Sequence, residues 1–78
     1  MRQNERLQIK SVPKLFDIVE LLEGLPAVGL PAGTQGTVVE ELPDAFLLVE
    51  FCDAAGHTLA IEPLASEKLA VSRSTNGS

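Results

Sequence analysis

Short alternations of apolar and polar residues, broken by turn signals, run through residues 15–71 of this chain. Residues 36–42 (GTVVEEL) and 45–52 (AFLLVEFC) are separated only by Pro43 and Asp44, a hairpin-sized gap. Residues 57–62 (HTLAIE) follow Asp53-Ala54-Ala55-Gly56, a turn that closes on a glycine. Leu69 and Val71 supply a last short alternation. Residues 15–22 read two ways. Pro13 and Gly24 flank them like helix start and stop signals, and their apolar positions fit a helical stripe, yet the run is short and its surroundings are β. Counted as strands, the five segments predict an all-β domain: a small, strongly bent, five-stranded antiparallel barrel.

Period-two alternation then divides the side chains between an inside and an outside. With Val19, Leu21, Val39, Leu47, Val49, Phe51, Leu59 and Ile61 filling the inside, the even-numbered positions point outward. The outward set holds one glutamate per strand (Glu20, Glu40, Glu50 and Glu62), with Ile18, Val38, Phe46, Leu48 and Ala60 around them. A wall both acidic and apolar exceeds what solubility asks for and has the makings of a contact surface. A plainer account has the N-terminal segment covering the apolar residues while the glutamates face water.

Charge sharpens this picture once it is located. Residues 15–71 carry ten carboxylates against the single cation Lys68, whereas residues 1–14 carry Arg2, Arg6, Lys10 and Lys14 against Glu5. A phosphate backbone calls for a cationic surface, so nucleic acid is disfavoured as a ligand of the acidic part, and a basic protein is the partner its charge suits. Residues 1–14 are expected to be a polar leader; Leu7 and Ile9 alternate with Gln8 and Lys10 in the pattern of a short edge strand, and a frayed leader is the plainer reading. Residues 72–78 (SRSTNGS) have the composition of a flexible, disordered tail.

Size and cysteine usage set further bounds. A 78-residue chain is one small domain, able to bury only about 60% of its unfolded surface. That leaves a homo-oligomer or a bound partner open as a source of added stability. Cys52 is the only cysteine, so no internal disulfide forms, which fits a reducing, cytoplasmic setting. Residues 1–14 lack an apolar core of signal-peptide length, and the longest apolar run, residues 45–49, is too short to span a membrane.

The glycine-rich stretch 24–40 (GLPAVGLPAGTQGTVVE) is the only run that resembles a reaction site. Gly24 and Gly29 have P-loop spacing, but Leu30 and Pro31 stand where a lysine and a hydroxyl residue are needed. Gly33-Thr34-Gln35-Gly36 matches a GxxG clamp in letters while lacking basic neighbours. Read as a connector, the two Leu-Pro pairs favour extended or turn backbone and the glycines permit reversal. Leu25, Val28 and Leu30 are then expected to fold back as a lid on the open end of the barrel.

Cys52 and His57 flank one turn, where a thiol–imidazole pair is conceivable, but no third polar group is placed to orient them. A packed cysteine and a turn-edge histidine account for them more simply. Asp17, Glu20 and Glu23 read as a solvated edge in preference to an acid–base set, which needs carboxylates in distinct, partly buried environments. One cysteine and one histidine are also too few for a structural zinc site. No catalytic, metal or cofactor constellation is therefore expected, and a non-enzyme is.

The residues LFDIVELLE (15–23), Leu25-Pro26, Gly29-Leu30, Gly33, GTVVE (36–40), Val49-Glu50-Phe51, Asp53 and GHTLA (56–60) resemble the small bacterial family catalogued as domain of unknown function 4926. The resemblance covers residues 15–71 and implies an SH3-like β-barrel in which the first segment is a strand. Gly24 stands where members of the family often carry aspartate before Leu-Pro. The resemblance brings no established activity, only an association with toxin-like neighbouring genes. Gly33, Gly36 and Val38 also resemble KOW-type barrels, in which the corresponding valine points inward, reversing the parity assigned above to the second strand. The expected function is a protein-binding module of antitoxin or immunity type. Its acidic wall of Glu20, Glu40, Glu50 and Glu62, with Ile18 and Leu48, would cover a basic partner. The alternative is a KOW-like nucleic-acid- or ribosome-associated module using the cationic leader.

Overall fold

A computed structural model describes residues 12–74; the expected alternation at Leu7 and Ile9, and residues 75–78 of the expected tail, lie outside the described residues. Five strands follow in order: β1 (Ile18–Leu21), β2 (Gln35–Leu42), β3 (Phe46–Cys52), β4 (Thr58–Ala65) and β5 (Leu69–Arg73). Short 3-10 turns at Pro26–Val28, Pro43–Ala45 and Ser66–Lys68 interrupt the connections. Among the described residues all pairings are antiparallel in one sheet of order β4-β3-β2-β1-β5, so β4 and β5 are its two edges there and the sheet they form is not closed. No helix of the described residues is long and apolar enough to cross a membrane.

The first segment is a strand, but a shorter one than 15–22. A tight turn precedes it, in which the Asp17 amide donates to the Lys14 carbonyl at 3.0 Å and Phe16 takes a positive φ of 70°. The Asp17 carboxylate is buried and accepts the Lys14 amide at 2.9 Å, which fixes the turn from both sides. At the other end, Ser72 and Arg73 belong to β5, so the expected tail gives up its first two residues to the sheet.

The core consists of Val19, Leu21, Leu30, Val38, Leu47, Val49, Phe51 and Leu69, with Leu25, Ala60 and Leu64 packed against it. The expected parity holds in β1 and β3 and fails in two strands. In β2 the buried valine is Val38, not Val39, as the likeness to KOW-type barrels implied. A register shift between Val38 and Glu40 makes Val39 the extra residue of a bulge, and this returns Glu40 to the outer face opposite Leu48. In β4 the large aliphatics Leu59 and Ile61 are half exposed, while Ala60 and Leu64 turn to the core. A second register shift, between Phe51 and Cys52, sets Ala60 opposite Phe51 and Thr58 opposite Cys52. The turn geometry, not side-chain size, fixes the facing of this strand.

The connector between β1 and β2 is built as a folded-back loop. Leu25 and Leu30 exchange backbone hydrogen bonds of 2.7 and 3.2 Å across the Pro26–Val28 turn, which Gly29 closes with a φ of 72°. Leu30 is buried and Leu25 packs on the core, as a lid would; Val28 is exposed and takes no part.

Candidate functional site: the acidic outer wall

Directly opposed residues on neighbouring strands share a face of the sheet. One row across the outer face therefore runs Arg73, Ile18, Thr37, Glu50 and Ile61, from β5 to β4. Gln35 and Ala70 flank Glu20 in the next row, and Leu48 stands between Glu40 and Pro63 on the other side. Five of the six expected contact residues, Ile18, Glu20, Glu40, Leu48 and Glu50, thus lie on one wall. Glu62 does not join them. It stands opposite Val49 on the core side of edge strand β4, because the bulge beside Cys52 reversed that strand's facing.

The wall is slightly hollow. Ile18, Gln35, Thr37, Glu50 and Cys52 line a shallow depression floored by Gly36. Neutral donors hold its carboxylates: Thr58 Oγ1 donates to Glu50, and Ser72 Oγ donates to Glu20 Oε2 at 3.2 Å while accepting from Gln35 Nε2 at 3.3 Å. Among the described residues no ion pair reaches Glu20, Glu40 or Glu50, so their charge is left uncompensated on the wall. Arg73 introduces a cation at the β5 edge. Sequence reasoning missed it by assigning residue 73 to the tail; the alternation of Leu69 and Val71 was the signal that the strand continued.

The other candidates do not assemble. Cys52 is exposed on the wall and not packed as expected. His57 is exposed beyond the turn, and its Nδ1 lies 3.4 Å from Asp53 Oδ2, so its partner is the aspartate. Asp53 organises that turn: its Oδ1 accepts the amides of Ala55 and His57, each at 2.9 Å. The His57 amide is the main cause holding the Asp53 carboxyl below the usual aspartate range. Asp17, Glu20 and Glu23 have separate partners, namely the Lys14 amide, the Ser72 hydroxyl and Lys68 Nζ, the last at 3.3 Å. Among the described residues no group of three or more His, Cys, Asp or Glu is placed to hold a metal ion.

The family model described as Domain of unknown function (DUF4926) matches residues 15–71. The chain belongs to that family. The match spans β1 to the middle of β5, so the wall and the turns that shape it lie almost wholly inside the DUF4926 region, with Ser72 and Arg73 just beyond it. No curated protein and no solved structure matches the chain.

Proposed function

We propose that this DUF4926 chain is a protein-binding module that covers a basic partner with its outer sheet wall, in the manner of a small antitoxin or immunity protein. The observation that carries this reading is the placement of Glu20, Glu40 and Glu50, without cationic partners among the described residues, beside Ile18 and Leu48 on one face. Uncompensated charge steers a cationic partner into encounter, and apolar neighbours that lose water on contact slow its release. Ten carboxylates against one lysine over residues 15–71 extend the same sign of field around the domain. We further take the sheet as that of an SH3-like barrel. The reading is supported by the meander from β1 to β4, the 3-10 turn Ser66–Lys68, and the return of β5 to the free side of β1.

The test is capture of partners from the source cells with three versions of the full chain. These are the unaltered protein, the wall variant Glu20→Lys/Glu50→Lys, and a charge-matched control, Glu62→Lys/Glu67→Lys. A cationic protein retained by the unaltered chain and the control, and lost from the wall variant, is the expected result. Equal retention by all three, or equal loss from both variants, overturns the reading.

A further inference from the structure

β4 has β3 on one side and, among the described residues, no strand on the other. Such an edge leaves backbone donors and acceptors open to a strand from another molecule, and a second copy of this chain supplies one in matching form. The side chains along it are apolar enough to draw a copy in. Leu59 is 55% exposed and Ile61 50%, and Pro63 is exposed beside them.

Three features of β4 work against that pairing. Ala60 stands opposite Phe51 and Thr58 opposite Cys52, so Leu59 has no residue facing it on β3 and forms a bulge that bends the strand. Pro63 has no amide hydrogen to give to a ladder. Between these two lies Glu62, opposite the fully buried Val49 on the core side of the strand, where an aliphatic residue would ordinarily sit. It is half-buried there, and among the described residues no ion pair reaches it.

Magnitudes single out the glutamate. The bulge and the proline each forfeit part of a ladder, and a backbone hydrogen bond between copies is a modest net gain, since water already supplies one. A charge closed off from water without a counter-charge costs far more. Antiparallel pairing centred on Ile61 sets that residue against its counterpart and places Glu62 opposite Ala60 of the second copy. Both carboxylates are then carried to the covered inner side of one joined sheet, close to each other and with only alanine opposite. We propose that Glu62 bars a second copy of this chain from the β4 edge, so that Leu59 and Ile61 stay exposed without drawing the domain into self-association. This gives a role to the one expected contact glutamate that the wall does not use. It concerns the edge of the sheet and stands or falls apart from the reading of the wall.

The experiment is sedimentation velocity with amide hydrogen exchange on the full chain, from micromolar to millimolar concentration. Salt of about 0.15 M screens repulsion between exposed charges beyond about 8 Å. In the unaltered chain, amide protection in β4 should not change across this range. Glu62→Val should self-associate at least tenfold more tightly than the unaltered chain, with protection of Ala60 and Ile61 rising as concentration rises. Glu62→Thr, which removes the charge but keeps a side chain that tolerates water, should do the same. Glu62→Lys should not, because lysine blocks an edge as glutamate does. Glu67→Val removes one carboxylate from the Ser66–Lys68 turn and controls for net charge. The proposal is overturned if neither neutral variant at Glu62 associates, or if Glu67→Val associates as tightly. Protection that rises only outside β4, or that rises in β4 of the unaltered chain, overturns it too.

Discussion

Gly36 of β2 lies directly across from Val19 of β1, and a Cβ at Gly36 would stand 2.7 Å from Val49 Cγ1 and 2.8 Å from Phe51 Cδ1. Both neighbours are fully buried core side chains, and the Glu50 carbonyl oxygen closes the third side at 2.9 Å. The glycine is needed for space, since β3 packs the core side chains of Val49 and Phe51 over this point of β2. Gly36→Ala should therefore cost about 1–3 kcal/mol, the range of an overpacked core, although alanine is ordinarily the better strand residue. Urea denaturation followed by far-UV circular dichroism measures this. An unchanged midpoint would mean that the sheet relaxes there freely.

The β2–β3 hairpin carries strain of a different kind. Asp44 and Ala45 both take left-handed backbone, with φ of 64° and 62°. Aspartate tolerates that region, whereas alanine has no side-chain group to compensate for its Cβ clash. Ala45 is exposed, so its replacement loses little packing. Relief of roughly 1–2 kcal/mol in the folded state, set against a greater entropy of the unfolded chain of roughly 0.4–1 kcal/mol, leaves a gain. Ala45→Gly should stabilise the protein by about 0.5–1 kcal/mol in the same denaturation assay. A lowered midpoint would show that the loop adopts another conformation in solution.

Neighbouring valines test the bulge in β2. Val38 is fully buried and Val39 half-buried, because the register slips between Val38 and Glu40. Val38→Thr places a hydroxyl among Val19, Val49 and Phe51 and should cost about 1–3 kcal/mol, the penalty of an unsatisfied buried polar group. Val39→Thr should cost under about 1 kcal/mol, since that hydroxyl reaches water. The opposite order of costs would return the strand to the simple alternation read from its sequence.

That pair also marks how far the sequence was legible. Strand existence followed from turn punctuation, because Pro43-Asp44 and Asp53 to Gly56 have few uses except as reversals. The facing of β1 and β3 followed too, since neither contains an internal bulge between its core positions. What the alternation did not reveal was the inserted residue in β2 and the one beside Cys52. A bulge shifts parity by one without altering the hydrophobic letters, so Val39, Leu59 and Ile61 read as core and Val38 and Ala60 as surface. The contact wall inherited the error at a single position, Glu62. Arg73 was lost through composition: SRSTNGS reads as tail, yet Ser72 makes the hydrogen bonds that join β5 to Glu20 and Gln35.

The turn between β3 and β4 should give the domain a small dependence on acid. Asp53 accepts the Ala55 and His57 amides on one carboxylate oxygen, and these bonds favour its charged form. Its carboxyl accordingly titrates below the ordinary aspartate range, with the His57 amide as the leading cause. For a carboxylate whose folded-state pKa is depressed, the stabilisation is complete above the unfolded value, near about 4, and fades as pH falls through the folded one. Asp53→Asn keeps an oxygen for both amides and removes the titration, whereas Asp53→Ala removes the acceptor and should lower the melting temperature at every pH. Thermal melts from pH 2.5 to 7 separate the three proteins. The unaltered chain should exceed Asp53→Asn by a constant margin at neutral pH, and the margin should shrink below about pH 4. A margin that stays constant down to pH 2.5 would place the stabilisation in the shape of the turn and not in the charge of Asp53.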